Sequence, residues 1–164
     1  MENRTKRIVY VDMDGVLVDF ASGLERVPAG IRDKYEGHED DIPGIFALMG
    51  PMAGAVDAYL ELAERFDTYV LSTAPWENPS AWSDKVRWVQ RYLGEAAYKR
   101  LILTHHKDLN RGDFLIDDRP AKRGADRFEG ELIEFGSDRF PDWPAVMEYM
   151  REVAPGLKPR PRTT

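Results

Sequence analysis

Between residues 7 and 20 the chain reads RIVYVDMDGVLVDF, an apolar run interrupted by three carboxylates, Asp12, Asp14 and Asp19. Ile8, Val9, Tyr10 and Val11 have the β-branched and aromatic make-up of a buried strand, and Val16, Leu17, Val18 and Phe20 are equally apolar. Carboxylates in such surroundings repel one another and lose hydration, so they persist only with shared protons or a cation. Gly15, directly after the first two, permits a tight turn. Any fold for this stretch must bring Asp12 and Asp14 to the end of a strand rather than leave them in the core.

The rest of the chain supplies the partners for that strand. Further strand-like runs occur in TYVLS (68–72), KRLILT, DFLIDD and GELIEF. Helical spacing separates several of them: Val56, Tyr59, Leu60, Ala63 and Phe66, then Trp82, Val86, Val89 and Leu93, and finally Val146, Tyr149, Met150 and Val153. Strands alternating with helices predict an α/β fold, a Rossmann-like three-layer sandwich on a mostly parallel five-stranded sheet. Residues 21–50 contain too many Gly and Pro for one long helix and are expected to form a small helical cap inserted after the first strand. A single domain over 1–154 follows, with 155–164, PGLKPRPRTT, expected to be a flexible tail.

Composition narrows the classes. The 164 residues are enough for one core, and 23 Lys+Arg against 29 Asp+Glu give a net charge of -6, which disfavours binding to a nucleic-acid polymer. Without cysteine there is no disulfide, thiol nucleophile or thiolate metal site. No window is long and apolar enough for a membrane span, and MENRTKR lacks signal-peptide character, so a cytoplasmic protein is expected. The sequence leaves a homodimer open.

In parallel sheets ligands bind beyond the carboxyl ends of the strands. Asp12, Ser72-Thr73 and Asp117-Asp118 all fall at such ends. Each alone has a bland reading, as a turn or a helix cap. Together, two carboxylate clusters on one sheet edge call for a hard cation, and Mg2+ suits oxygen ligands and phosphate. Lys85, on the helix after the second strand, could face an anion held by Thr73; it could equally be a solvent-exposed lysine beside Asp84.

These residues resemble the haloacid dehalogenase-like (HAD) phosphatase superfamily. DMDGV is similar to its first motif, Thr73 at the end of YVLST to its second, Lys85 to its third and FLIDDRP to its fourth, in family order over residues 8–120. VDMDGVLVDF, PMAGAVDAYLEL, STAPW, SDKVRWVQRYLG and LIDDRP resemble most closely the 5'(3')-deoxyribonucleotidases. The resemblance implies Asp12 as nucleophile and Asp14 as general acid/base, with Thr73 and Lys85 holding the phosphoryl group; independently, the tight turn at Gly15 is expected to point backbone N–H groups at phosphate oxygens. It further implies Mg2+ on Asp12, the Asp14 backbone carbonyl and Asp118, with Asp117 and Arg119 supporting. Spacing alone does not decide between Asp117 and Asp118 as the direct ligand.

A Mg2+-dependent phosphatase for deoxyribonucleoside monophosphates is therefore expected. The alternatives are a phosphatase for a sugar or another small phosphorylated metabolite, and a non-catalytic phosphate-binding domain. Phe20, Phe46 and Trp76 are candidates to stack a nucleobase. Asp19 reads as a helix start and Trp88 as core. Lys122-Arg123 and His105-His106 carry no firm assignment.

Overall fold

The computed structural model describes residues 6–154; the expected tail at 155–164 lies outside the described residues. Its centre is a five-stranded sheet in the order β5-β4-β1-β6-β7. The strands are β1 (Ile8–Val11), β4 (Asp67–Ser72), β5 (Leu101–Leu103), β6 (Phe114–Asp117) and β7 (Glu131–Glu134), and every pairing among them is parallel. The expected α/β, Rossmann-like fold is the one observed. A separate antiparallel ribbon joins β2 (Val18–Asp19) to β3 (Gly50–Pro51).

Alternation along β1 sorts the core. Val9 and Val11 face a large cluster with α3 (Ala55–Arg65), α4 (Pro79–Tyr92) and α5 (Trp143–Val153). Tyr10 faces the opposite side, where Leu71, Leu115, Ala125 and Phe128 make a smaller cluster. That second face is roofed by connecting segments, including the 3-10 turn Ala125–Arg127, so helical cover is unequal on the two sides.

The β2–β3 ribbon brackets the insertion. Between its strands lie α1 (Phe20–Leu24), α2 (Ala29–Lys34) and the 3-10 turns Glu39–Asp41 and Ile45–Leu48. Asp19 caps α1, accepting the Ser22 N–H, in line with its reading as a helix start. Val27, Ile42, Ile45, Phe46 and Met49 join the large core cluster, so the insertion packs on the sheet-bearing body with no separate apolar centre.

The apolar stripe expected on α4 holds at Val89 and Leu93, which join the large core cluster, and is corrected at Val86. Val86 is 41% exposed, and the buried face is carried by Ala81, Asp84, Lys85, Trp88 and Val89. Asp84 and Lys85 are buried beside that stripe, and Lys85 is met by Asp14 and Ser72, partners that hydrophobic spacing does not reveal. Trp88 is core, as expected, with its indole N–H donating to Met49 O at 3.1 Å.

Candidate active site

The polar strand ends converge. Asp12 follows β1, the central strand, whose two neighbours β4 and β6 end in Ser72-Thr73 and Asp117-Asp118. The Asp12 N–H donates to Ile116 O at 2.9 Å, which continues the β1–β6 ladder one residue past the strand and fixes the carboxylate beside the acidic pair. One carboxylate oxygen each from Asp12, Asp117 and Asp118 lie within 4.8 Å of one another. A cavity of about 210 Å³ opens over them, lined by Asp12, Asp14, Phe20, Gly37, Glu39, Asp40, Asp118, Arg119 and Arg123.

Gly15 is at φ +77°, in the left-handed region, and a Cβ there would stand 2.2 Å from Asp118 Oδ2. The glycine thus lets the acidic loop after β6 approach the turn after β1. The Gly15 N–H itself donates to Val18 O at 2.9 Å, which closes the turn. Thr73 is buried just past the end of β4. Its single hydroxyl proton goes to Thr104 O at 2.7 Å, tying the end of β4 to the segment after β5.

Two buried lysines serve the site, and only one of them was anticipated. Lys85 is wholly buried, which dismisses the solvent-exposed reading. Its Nζ lies 2.8 Å from Asp14 Oδ2 and 3.0 Å from Ser72 Oγ, with the Phe46 ring centroid 4.6 Å away. Lys107, 2% exposed, bonds Asp117 through its Nζ, which is also 3.1 Å from Asp12 Oδ1. Sequence reasoning passed over Lys107, although it sits just past the carboxyl end of β5 and the strand-end rule would have found it. Its loop is braced from behind. The Lys107 N–H donates to Arg123 O at 2.9 Å, and Asp108 pairs with Arg127 at 3.1 Å.

The acidic pair divides its work. Asp117 is buried and both its oxygens are used, one by Lys107 and the other by the Arg119 N–H at 2.7 Å. Asp118 borders the cavity, and its Oδ1 is buried without a hydrogen-bond partner, as is Asp14 Oδ1. Orphaned buried carboxylate oxygens are costly unless something cationic meets them. Three hard oxygen donors with such orphans fit a divalent cation. The Arg119 side chain braces loosely, with Nε 4.0 Å from Asp118.

Electrostatics tell the same story. Burial pushes the Asp12 carboxyl up to about 7; Lys107 opposes the shift, while Asp117 and Asp14 add to it. Asp118 is raised by burial and by Asp117, against the pull of Arg119. For Lys107 burial favours loss of the proton, but Asp12 and Asp117 outweigh it and hold the ammonium above its ordinary value.

The three aromatic candidates part company. Phe20 lines the cavity. Phe46 is 3% exposed, packed edge-on to Phe20 at 6.1 Å and against Lys85, outside the cavity lining. Trp76 is 75% exposed, with His105 5.9 Å from its ring. It borders a separate surface groove with Pro79 and Trp82.

Comparison with known proteins gives this arrangement a family. Residues 33–140 match the family described as 5' nucleotidase, deoxy (pyrimidine), cytosolic type C protein. A protein of Vibrio phage KVP40 carrying the provisional name 5'(3')-deoxyribonucleotidase is 58% identical over 145 residues, covering 88% of this chain and 85% of that one. A Bordetella pertussis protein with the same provisional name is 35% identical, over 73% of this chain and 78% of its own. The human 5'(3')-deoxyribonucleotidase, cytosolic type, is 35% identical, over 71% of this chain and 72% of its own. The chain belongs to this 5'-nucleotidase family of the HAD superfamily, whose members are phosphatases acting on phosphomonoesters.

Proposed function

We propose that the protein is a Mg2+-dependent nucleotidase that removes phosphate from deoxyribonucleoside monophosphates through an aspartyl-phosphate on Asp12. The observation that carries this reading is Asp12 itself. It is a buried carboxylate at the end of the central strand, with an ammonium on one of its oxygens and an acidic cluster beside it. Residues 21–50 act as the cap of one hydrolase domain, and the work is cytoplasmic, as the name of the human relative suggests.

In the first step an Asp12 oxygen attacks phosphorus, and the bond from phosphorus to the nucleoside oxygen breaks. Asp14 gives its proton to that leaving oxygen. Lys85, 2.8 Å from Asp14 Oδ2, holds this carboxyl in place and leaves Oδ1, which has no partner, to carry the proton. In the second step Asp14 takes a proton from water as the water oxygen attacks phosphorus. The phosphorus–Asp12 bond then breaks, freeing phosphate and restoring the carboxylate. Lys107 stabilises negative charge on the transferring group from beside Asp12. A cation held by Asp12, Asp118 and the Asp14 carbonyl would supply charge neutralisation between nucleophile and phosphate. Asp117 keeps Lys107 aimed, and Phe20 offers a ring to the nucleobase.

The test is phosphate release from dUMP, dTMP, dGMP, UMP and a sugar phosphate, by wild type and by Asp12→Asn, with Mg2+ present. Wild-type turnover of the deoxyribonucleotides, and loss of multiple turnover in a variant with unchanged circular dichroism, are the expected results. Preference for the sugar phosphate would move the substrate and keep the chemistry. An Asp12→Asn protein within a few-fold of wild type would remove the nucleophile from the mechanism.

A further inference from the structure

One wall of the site cavity, formed by Gly37, Glu39 and Asp40, belongs to the insertion and to none of the sheet-bearing elements. A buried link from this wall to the catalytic body is Asn78, which stands at the N-cap position of α4. An asparagine there ordinarily accepts a hydrogen bond from the first helical turn. The Asn78 side chain makes no such bond. Its Nδ2 donates to Asp40 O at 2.9 Å and to Ile42 O at 3.0 Å, and its Oδ1 accepts the Ser80 hydroxyl at 2.5 Å. Ser80 Oγ in turn accepts the Gly44 N–H at 2.9 Å. The amide orientation is settled by its partners, because two carbonyls on one end can be satisfied only by the NH2 group.

Asn78 is 2% exposed, and both its amide protons and its oxygen are engaged in joining these segments. The wall is stiff within itself: the Gly37 N–H donates to Glu39 Oε1 at 2.9 Å and the Ile42 N–H to Glu39 O at 3.3 Å. Asn78 ties the cavity end of this wall to the element on which it stands, α4. That element also carries Lys85, the partner of Asp14.

We infer that Asn78 is a positioning residue for substrate binding, setting the distance between the cap wall of the cavity and the catalytic carboxylates. Resting on the nucleotidase reading, it acts on that part of the substrate that reaches beyond the phosphate. The Asn78 network therefore governs KM for the nucleotide, while kcat depends on groups it does not touch.

Asn78→Asp separates this role from helix capping. Aspartate matches asparagine in size and as an N-cap, but its ionised carboxylate cannot donate to either carbonyl. The expected result is a KM for dTMP raised at least threefold, with kcat within twofold of wild type and KM for p-nitrophenyl phosphate within twofold. A capping role predicts wild-type KM for both. Ser80→Ala, which deletes one hydroxyl, should move KM for dTMP in the same direction by a smaller factor, and it carries the test if Asn78→Asp does not fold. Wild-type KM for dTMP in the folded variants overturns the inference, as does an equal KM rise on both substrates with a fallen kcat. A wild type that prefers another phosphomonoester sinks the deoxyribonucleotide reading alone, and the same comparison is then made on that substrate.

Discussion

Lys107 Nζ and Asp12 Oδ1 stand 3.1 Å apart, both in buried side chains, with Asp117 closing the ammonium from the other side. Each group makes the burial of the others tolerable. The ammonium balances two carboxylates that would otherwise repel, and they keep it protonated.

Lys107→Met preserves much of the volume and removes the charge. Loss of a preorganised electrostatic contact of this kind lowers kcat by about 10²–10³. Leaving Asp12 and Asp117 unpaired should also cost about 3–5 kcal/mol of stability. Phosphate release and urea unfolding measure the two effects. Turnover within threefold of wild type would show that Lys107 serves the fold alone.

The two aspartates after β6 should respond differently to truncation. Asp118→Ala removes an oxygen without a partner and one side of the cavity, so the Mg2+ concentration for half-maximal activity should rise at least tenfold. The melting temperature of the metal-free protein should change little. Asp117→Ala strips Lys107 of a buried partner, and its main effect should be a lower melting temperature. Mg2+ titrations and thermal melts of both variants decide the matter; a larger Mg2+ effect at Asp117 would exchange their roles.

The raised carboxyls predict how the metal-free protein responds to pH. A group whose folded pKa exceeds its unfolded one binds its proton more tightly when folded. Its stabilisation is complete below the unfolded pKa and fades as pH rises through the folded one. For Asp12 the window runs from 3.8 to about 7, and Asp118 shifts in the same direction. In EDTA the protein should therefore melt at a higher temperature at pH 6 than at pH 8. Added Mg2+ should raise the melting temperature more at pH 8, because protons and cation compete for the same oxygens. A metal-free melting temperature that climbs from pH 6 to pH 8 would contradict this.

Phe20 and Phe46 should separate in kinetics. Phe20 lines the cavity, and loss of a stacking contact worth roughly 1–3 kcal/mol per base should shrink the preference for dTMP over p-nitrophenyl phosphate by several-fold. Phe46 is core beside Lys85, and Phe46→Ala should cost about 3–5 kcal/mol of stability with the preference kept. Specificity-constant ratios and melting temperatures of the two variants test the division. An unchanged ratio for Phe20→Ala would remove it from the base pocket.

Why some of this was legible in the sequence and some was not comes down to the range of the signal. The β-branched runs ending in Asp12, Ser72 and Asp117 are local patterns, and a parallel sheet aligns the carboxyl ends of its strands wherever the chain goes between them. So the α/β class and the meeting of Asp12, Asp14, Asp117 and Asp118 could be read without coordinates. Gly15 reads as a tight turn from its neighbours alone, but the group that forbids a Cβ there is Asp118, from a strand end remote in the sequence.

Tertiary structure decided the contacts. Whether Asp117 or Asp118 keeps a free oxygen depends on Lys107 and the Arg119 N–H, groups that compete for the same carboxylate only once the loops are packed. Lys85 is buried on α4 because Asp14 and Ser72 meet its ammonium, and those partners arrive from other strand ends. Asn78 had every mark of a helix cap, and only the arrival of the Asp40 and Ile42 carbonyls diverted its amide. A strand's end, a glycine's freedom and a helix's period are properties of neighbouring residues, and the amino-acid sequence determined them by itself. The partner of a buried charge or amide is selected by distance and desolvation among groups remote in the chain, and only the folded molecule sets those.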